Sequence, residues 1–400
     1  MNAARELPAR DPEGRPLRIV ALAANPWDGQ WMNRQQLLSR LAGRHGIVYS
    51  NGPFRIWDRG KDEFRRASLF GSFEQRGDVV LDRRGRLPLR VPRFGWLDAR
   101  AMQLAARRWR RQLPQSDRPL VAYLFHPTFA PLLGALRPDR IVYHAYDLFR
   151  MTPSWSSAEE ANESRLLAAA DLVLASSREI AADLQRRSGK QVQFLPNGVD
   201  YDLFAAAGTA AEPAELAAIP RPRIGYIGKI SVKFDFDLLL ELSQRRSDWQ
   251  FVIVGPSDEL PPADAEKMAT LRARGNVHLF GFRPAEQIAR FTAALDVGLM
   301  CYRLGNLWTQ AIYPLKMHEY LACGIPVVSA PVPAVQEFAE VVRLAQTPAQ
   351  WHDAIDAALQ DRDAGASARR REVARANSWN DRVAQLDRHL RSMAGGTAAP

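Results

Sequence analysis

Cysteine is almost absent from this sequence, and long apolar runs are missing altogether. The two cysteines, Cys301 and Cys323, both lie among apolar residues. They argue against a disulfide framework or a zinc site and favour a reducing, cytoplasmic location. No run reaches the roughly 18 apolar residues that a membrane-spanning helix requires. Residues 1–16 lack the apolar core of a signal peptide, so we expect a disordered leader there.

Lysine is also scarce, because arginine supplies 48 of the 54 basic side chains. The formal net charge of +10 is unevenly spread. Residues 1–205 hold 32 basic and 22 acidic side chains, whereas the remaining residues hold 22 of each. A basic half predicts an anionic partner such as lipid headgroups, nucleic acid or an anionic substrate. Nucleic acid is not expected, since no nucleic-acid-binding motif accompanies the charge.

The chain lacks a GxGxxG motif, so nothing supports a dinucleotide cofactor. Its main pattern is a long alternation of apolar runs and helical segments. The runs are continuously apolar, which predicts parallel sheets covered on both faces. They cover residues 17–23, 47–50, 119–125, 141–146, 171–176, 192–196, 223–228, 251–255, 277–281, 296–300 and 326–330. We predict an α/β protein with two doubly wound, Rossmann-like domains that face each other across a ligand-binding cleft.

Changes in composition predict the domain boundaries. The N-terminal domain covers 17–204, an Ala/Gly/Pro-rich linker covers 205–222 and the C-terminal domain covers 223–377. A final helix over 378–395 packs locally or crosses back to the first domain.

The segment RAMQLAARRWRRQL, residues 100–113, places apolar side chains on one helical face between arginines. Two interpretations stay open. The helix lies on an anionic membrane with Trp109 at the interface, which would put the protein peripherally on the inner face of the plasma membrane. Alternatively, the apolar face packs in the core and the arginines are solvated.

Four segments resemble the GT-B glycosyltransferases: LPNGVDYDLF (195–204), RIGYIGKI (223–230), VHLFGFRPAEQI (277–288) and PLKMHEYLACGIPVVS (314–329). A fifth, NPWDGQWMNRQQLLSRLA (25–42), is similar to sugar transferases of bacterial cell-wall and exopolysaccharide assembly. The resemblance implies a nucleotide-sugar donor, with uridine as the expected base, in the second domain. It implies a lipid-linked or polysaccharide acceptor in the first domain, and no metal or other cofactor.

Lys316 and Glu319 lie on one face of the helical pattern in PLKMHEYL. A lysine in the first helical turn is unfavourable beside the positive helix end unless an anion lies between them. We therefore predict that Lys316 binds the departing diphosphate. The resemblance assigns the ribose hydroxyls to Glu319. The alternative is a surface ion pair worth about 0.3–0.5 kcal/mol.

Further donor-binding candidates follow the predicted strand ends of the second domain. The glycine of this set permits a tight turn through which backbone amides approach a phosphate. The lysines supply a second cation or are solvated loop residues, and the phenylalanine and arginine frame the nucleobase or simply pack. The set is Gly228, Lys229, Lys233, Phe282, Arg283 and Tyr302.

The catalytic candidates lie in the first domain. Many retaining members of the superfamily carry a glutamate eight residues before the position of Glu319, and Ala311 stands there in this chain. The segment IVYHAYDLF (141–149) is similar to the aspartate-bearing segment of an inverting glucuronosyltransferase of exopolysaccharide synthesis, which assigns the general base to Asp147. A helix N-cap is the alternative for Asp147. His126 is a second candidate for the base or for a sugar contact, unless its role is structural.

The loop after the first strand holds Asn25, Trp27, Asp28 and Trp31, which we predict to line an acceptor groove. Tryptophans stack on sugar faces, although these two also suit a core or a membrane interface. The sequence as a whole predicts an inverting glycosyltransferase of bacterial cell-surface glycan synthesis. A nucleotide-sugar 2-epimerase, a retaining transferase and an inactive nucleotide- or carbohydrate-binding protein remain open.

Overall fold

A computed structural model describes residues 16–28, 31–115, 117–152, 155–257, 260–305, 307–361 and 363–395. The predicted leader, residues 1–16, lies outside these ranges except for Pro16. The chain divides into two compact units. Unit 1 contains the chain up to Ser176, Ile180–Leu195 and the chain from Val383 onward, and unit 2 contains Ser177–Glu179 and Pro196–Arg382.

Both units are built around a mainly parallel sheet. The strands of unit 1 are β1 (Arg18–Leu22), β2 (Gly46–Ser50), β3 (Ser72–Arg76), β4 (Val79–Arg83), β5 (Leu120–Leu124), β6 (Arg140–Ala145), β7 (Leu172–Ala175) and β8 (Gln193–Phe194). The strands of unit 2 are β9 (Arg223–Ile227), β10 (Gln250–Val254), β11 (Val277–Leu279), β12 (Val297–Met300), β13 (Val327–Ser329) and β14 (Val342–Leu344).

The strand orders are those of doubly wound sheets. In unit 1 the order is β3-β4-β2-β1-β5-β6-β7-β8, and only the β3–β4 pair of the described strands is antiparallel. In unit 2 the order is β11-β10-β9-β12-β13-β14, with parallel neighbours throughout the described strands. The predicted α/β class and its parallel sheets are confirmed.

Helices connect the strands. In chain order they are α1 (Asn33–Leu41), α2 (Asp62–Arg66), α3 (Gly95–Gln112), α4 (Leu133–Leu136), α5 (Ser157–Ala169), α6 (Arg178–Ser188), α7 (Tyr201–Ala207), α8 (Phe236–Arg245), α9 (Pro262–Arg272), α10 (Ala285–Ala293), α11 (Leu307–Gln310), α12 (Leu315–Ala322), α13 (Pro333–Gln336), α14 (Pro348–Gln360), α15 (Ala364–Arg375) and α16 (Trp379–Gly395). Short 3-10 helices cover Ile56–Gly60, Pro127–Leu132, Phe149–Met151 and Ala214–Leu216.

The apolar runs became strands because their side chains are buried on both sheet faces; every residue of β5 and of β9 is buried. Sequence inspection missed the β3–β4 hairpin and β14. The β3 strand, SFEQR, has no fully buried residue, so its sequence lacks the apolar signal. Its turn at Gly77, with φ of 55°, is what reverses the chain.

The predicted linker over 205–222 differs from the structure. Phe204, in α7, already lies in the core of unit 2. Leu216 and Ile219 are buried in the same core, and the guanidinium of Arg223 donates hydrogen bonds to their carbonyl oxygens at 2.6–2.9 Å. The boundary therefore falls after Leu195, and an alanine-rich composition did not indicate a free linker.

Helix α16 begins in unit 2 and, from Val383 onward, belongs to unit 1. Its Asp387 is buried and lies 2.8 Å from Nε2 of His45. His45 Nδ1 accepts from the backbone N–H of Leu17 at 3.0 Å, so Nε2 carries the proton that it donates to Asp387. Burial raises the pKa of Asp387, but the hydrogen bonds from His45 and Arg44 outweigh that effect and leave the pKa well below its usual range.

Helix α3 decides between the two interpretations of residues 100–113. Trp109 is fully buried, and its indole Nε1 donates to Asp82 at 2.7 Å. Ala101, Ala105 and Ala106 are buried on the same face. The membrane interpretation of this helix is wrong, because its apolar face is part of the core of unit 1. None of the helices in the described ranges is long and apolar enough to cross a bilayer.

Candidate functional site

The predicted lysine of unit 2 lies in an aromatic recess at the carboxyl ends of the strands. Lys316 is 8% exposed in the first turn of α12. Its Nζ lies 3.4 Å from the ring centroid of Tyr226, at the end of β9, and 5.5 Å from that of Tyr302, just after β12. The ring faces attract the ammonium group. They do not neutralise its charge.

Gly228 forms the other wall of this recess. Its φ of 137° belongs to a region that other residues rarely adopt, and a Cβ there would lie 2.8 Å from Lys316 Nζ. The next strand end is equally tight, since a Cβ on Gly255 would lie 2.1 Å from the carbonyl oxygen of Gly228. The structure thus brings together three predicted donor-binding residues: Gly228, Tyr302 and Lys316.

The protonation of Lys316 and Glu319 reflects this burial. Burial lowers the pKa of Lys316 to about 7, although Cys301 and Glu319 oppose that shift. Burial also raises the pKa of Glu319 to about 7, opposed by Lys316. Within the described residues neither side chain forms an ion pair or a side-chain hydrogen bond. The surface ion pair considered from the sequence is therefore not formed, and both groups remain available to a ligand.

The other donor-binding candidates have partners of their own. Lys229 is exposed, and its carbonyl oxygen accepts from Tyr226 Oη at 3.0 Å. Lys233 Nζ lies 5.0 Å from the ring centroid of Trp308. Phe282 is 54% exposed, beside the turn at Gly281. Arg283 turns towards Glu215, at 3.8 Å, and the ring of Phe291. No contact of the described residues joins Phe282 or Arg283 to Lys316.

In unit 1, polar side chains meet where β1, β2 and β6 end. The carbonyl oxygen of Asn25 accepts from Tyr49 Oη at 2.6 Å, and its Oδ1 accepts from Tyr146 Oη at 3.3 Å. The guanidinium of Arg34, in α1, lies 5.3 Å from the ring centroid of Tyr146. Burial raises the pKa of Tyr49 to about 12, and the nearby Arg34 opposes the shift.

The remaining groove candidates have separate roles. Trp27 is 6% exposed and packs edge-on against Tyr49, so it is a core residue and not a sugar-stacking surface. Trp31 is 45% exposed and keeps an accessible face. Asp28 pairs with Arg83 at 2.5 Å. Of the predicted groove residues, Asn25 and Trp31 are exposed and form no ion pair among the described residues.

His126 follows β5 and caps the 3-10 helix Pro127–Leu132, as a structural role would require. Its Nδ1 accepts from the backbone N–H of Thr128 at 3.2 Å. Burial lowers its pKa to about 4, so the ring is neutral at pH 7. The proton then resides on Nε2, because Nδ1 is an acceptor. A neutral ring in this tautomer offers a donor N–H at Nε2 rather than a basic lone pair.

Asp147 follows β6 and directly precedes Leu148, whose backbone N–H donates to Asp147 Oδ1 at 2.9 Å. The carboxylate is half-buried. Two residues further on, the ring of Phe149 lies 4.6 Å from that of His126 and 5.1 Å from that of Tyr146, the residue before Asp147. The structure thus gathers Asn25, His126 and Asp147 at one edge of the unit 1 sheet.

Comparison with known proteins covers both units. Residues 58–203 match the family described as Glycosyltransferase Family 4, and residues 221–361 match the family described as Glycosyl transferases group 1. A putative teichuronic acid biosynthesis glycosyltransferase, TuaH, of Bacillus subtilis is 29% identical over 272 residues, which are 62% of this chain and 66% of that protein. The chain thus spans just under two thirds of this relative's length. This chain is a member of the GT-B glycosyltransferases.

Other GT-B proteins agree with that placement. A D-inositol 3-phosphate glycosyltransferase of Xylanimonas cellulosilytica is 27% identical over 316 residues, 73% of this chain and 69% of that protein. The crystal structure of Anabaena Alr3699/HepE in complex with UDP-glucose covers 94% of this chain and 100% of its own, with a TM-score of 0.64 and 16% identity. The catalytic domain of Arabidopsis thaliana starch synthase IV has a TM-score of 0.63 at 13% identity, covering 95% of this chain and all of its own. These structures establish the fold.

Three residues of this GT-B site escaped sequence reasoning. Tyr226 stacks on Lys316, but it reads as one more apolar residue of a buried strand. Tyr320 positions α12, because its Oη accepts from the Ile227 backbone N–H at 2.7 Å and donates to the Leu299 carbonyl at 3.3 Å. Arg34 lies in the amphipathic helix α1, and the sequence contains many other arginines, so residue type alone did not single it out. Only its burial distinguishes it.

Proposed function

We propose that this chain transfers a sugar from a UDP-sugar to a lipid-linked or polysaccharide acceptor, with inversion and without a metal ion. The carrying observation is the unpaired, buried Lys316 beside the Gly228 turn. A buried cation without a counter-ion is costly, and a diphosphate removes that cost while the cation stabilises its departure. The neighbour crystallised with UDP-glucose supports a uridine donor, and the teichuronic acid relative supports a bacterial glycan as product.

Asp147 is the proposed general base. It would take the proton of the acceptor hydroxyl while that oxygen attacks the anomeric carbon and the nucleoside diphosphate leaves with the bonding electron pair. The neutral His126, with its proton on Nε2, suits a hydrogen-bond donor to a sugar hydroxyl instead. Ala311, 3% exposed, leaves no carboxylate at the position where retaining relatives have one. These features together favour inversion.

The donor assignment is tested with a panel of nucleotide sugars. UDP-, GDP- and ADP-sugars are compared by thermal shift and by slow hydrolysis, using wild type, Lys316→Met and Lys267→Met. Lys267 is a matched lysine of unit 2 that pairs with Asp237 away from the recess. We expect a UDP-sugar to stabilise wild type and Lys267→Met, but not Lys316→Met. Equal stabilisation of all three proteins would remove the diphosphate assignment.

The same panel separates the alternative enzymes. A 2-epimerase interconverts its UDP-sugar without any acceptor, whereas a transferase releases UDP fast only when an acceptor is present. Nuclear magnetic resonance of the product's anomeric proton distinguishes an inverting from a retaining transfer. An inactive binding protein would be stabilised by a UDP-sugar without turning it over.

The proposal also includes peripheral contact with an anionic membrane, through a surface other than the apolar face of helix α3. Eight of the eleven large apolar side chains exposed among the described residues lie between positions 56 and 97. Exposed arginines whose side chains form no ion pair or hydrogen bond in the described chain lie among or next to them in the sequence. We call this set the aromatic–arginine surface: Ile56, Trp57, Leu69, Phe70, Leu87, Phe94, Trp96 and Leu97, with Arg59, Arg66, Arg86, Arg93 and Arg100.

Backbone pairing joins the parts of the aromatic–arginine surface. Phe70 bridges to Leu87, and Arg55 bridges to Arg90. Arg90 in turn holds Asp98, in the first turns of α3, through a bidentate pair at 2.8 and 3.0 Å. Aromatic side chains suit the interfacial region of a bilayer, and unpaired arginines suit anionic headgroups. An enzyme bound to the membrane through this surface would have access to a lipid-linked acceptor in the same membrane.

A further inference from the structure

In the part of the chain that the structure describes, buried arginines are paired with acids, except for one. Among the described residues four arginines are less than 9% exposed. Three of them bind a carboxylate: Arg90 with Asp98, Arg223 with Glu212, and Arg370 with Asp361. Arg34, at 4% exposure, has no acidic partner within the described chain, and its Nε has no hydrogen-bond partner. The guanidinium of Arg34 is thus buried without an acidic partner.

The surroundings of Arg34 do not compensate its charge. The guanidinium faces the ring of Tyr146 at 5.3 Å and lies close to the phenol of Tyr49. A ring face and a neutral hydroxyl attract a cation only weakly compared with a carboxylate. Because arginine does not lose its proton in proteins, it cannot escape the cost by becoming neutral. A bound anion would pair with the guanidinium and remove that cost.

The start of α1 adds positive potential at the same place. Arg34 is the second residue of this nine-residue helix, and Met32 at its N-cap offers no side-chain cap. The first backbone amides of a helix lack internal partners, and they attract anions. Asn33, 5% exposed, has an Oδ1 atom without a partner in the same turn. Only the amide N–H2 of Asn33, and not this oxygen, can donate a hydrogen bond to an anion.

We propose that Arg34 and the first turn of α1 bind an oxyanion of the acceptor, either a phosphate or a carboxylate. This inference deepens the proposed function, on which its acceptor assignment rests. Tyr146 faces Arg34 and immediately precedes Asp147, so the anion site adjoins the proposed base. The acceptor class is therefore a sugar or lipid whose reactive hydroxyl lies near a negative group.

The anion site is measured apart from the donor site. Inorganic phosphate and acetate are titrated separately against the full chain in a Lys316→Met background, so that the unit 2 cation cannot contribute. Arg34→Met is compared with Arg40→Met, a control on the same helix whose guanidinium donates to Gln36. We expect phosphate or acetate to stabilise the control, and Arg34→Met to weaken that binding about tenfold or more. Binding of phosphate would indicate a phosphate group on the acceptor, and binding of acetate would indicate a carboxylate.

Stability without ligand gives a second readout. A buried arginine that serves to bind an anion lowers the stability of the ligand-free protein. Arg34→Met should therefore melt at or above the melting temperature of Arg40→Met when no anion is present. If Arg34→Met melts lower and neither anion binds in an Arg34-dependent way, Arg34 is structural and the inference is wrong.

The two proposals fail separately. With Lys316 intact, Arg34→Met should raise KM for an anionic acceptor and leave UDP-sugar binding unchanged. UDP-sugar binding without an Arg34-dependent anion effect would defeat only the anion site. Arg34-dependent anion binding by a protein that no nucleotide sugar stabilises would defeat the donor assignment and leave the anion site standing.

Discussion

Lys316 and Glu319 lie three residues apart on one face of α12, yet no ion pair joins their charged groups. Lys316 is buried and Glu319 is half-buried. Burial lowers the pKa of Lys316 and raises the pKa of Glu319, in each case to about 7. Lys316 and Glu319 therefore both titrate near neutral pH. A diphosphate at Lys316 and ribose hydroxyls at Glu319 would fix both groups in their charged forms.

Binding of UDP should take up protons at pH 8. Free Lys316, with a pKa of about 7, is then roughly nine-tenths neutral, and a bound diphosphate restores its charge. We expect uptake of nearly one proton per UDP, measured by calorimetry in buffers of different ionisation enthalpy. Lys267→Met should keep this uptake. Equal uptake by a Lys316→Met variant would contradict the assignment.

The stability of the free protein should follow the same linkage. The folded pKa of Lys316 is lowered from 10.5, so the unfolded chain binds more protons between pH 7 and 10.5, and the contribution of Lys316 to the unfolding free energy rises with pH there. The pKa of Glu319 is raised from 4.5, so its contribution is present below pH 4.5 and is lost as the pH rises through 7. Denaturant titrations of Lys316→Met should lack the rise above pH 7. A wild-type rise retained in that variant would assign it to another group.

Asp147→Asn should slow transfer strongly while the donor still binds. The amide keeps the size of the side chain but cannot accept the acceptor proton, so we expect kcat to fall about 10²–10⁴-fold. UDP-sugar thermal shifts should not change, since the donor residues lie in unit 2. His126→Gln, which removes a donor but no base, should cost less. Near wild-type transfer by Asp147→Asn would exclude Asp147 as the base.

Loss of three exposed aromatic side chains should weaken membrane binding. Wild type should co-sediment with phosphatidylglycerol-containing vesicles, more weakly with pure phosphatidylcholine, and less at high salt. The triple variant Trp57→Ser, Phe70→Ser, Trp96→Ser should partition about tenfold less. Val232→Ser, at an exposed apolar residue of unit 2, is the control. Unchanged sedimentation of the triple variant would rule out the aromatic–arginine surface.

The His45–Asp387 contact should stabilise unit 1. Asp387→Ala leaves the buried His45 N–H without its acceptor, so we expect a loss of about 3 kcal/mol in unfolding free energy. Arg391→Ala removes a more exposed partner of the same carboxylate and should cost about 0.5 kcal/mol. Because the folded pKa of Asp387 is depressed, its contribution is present above about pH 4 and is lost as the pH falls. Chemical denaturation of both variants at pH 7 and pH 3 measures these differences, and equal losses in the two variants would show that the contact is unimportant.

Much of the fold could be read from local pattern. Continuous apolarity predicts strands that are covered on both faces, and such runs predicted every described parallel strand except β4 and β14. The polar β3 strand gave no signal, because it lies at a sheet edge where burial on both faces is not required. The linker prediction failed for the opposite reason. Alanines and prolines look unstructured locally, but Leu216 and Ile219 between them fill the core of unit 2.

Some site residues could likewise be predicted from local sequence, whereas others depended on tertiary contacts. The sequence by itself determined the GT-B alternation and the motif around Lys316 and Glu319, because helix periodicity and strand ends are local properties. Only the tertiary structure decided that Trp27 and Trp109 are core residues, that Tyr226 faces Lys316, and that Arg34 is buried without a counter-ion. Burial and pairing depend on residues far away in the chain, and electrostatic cost depends on burial.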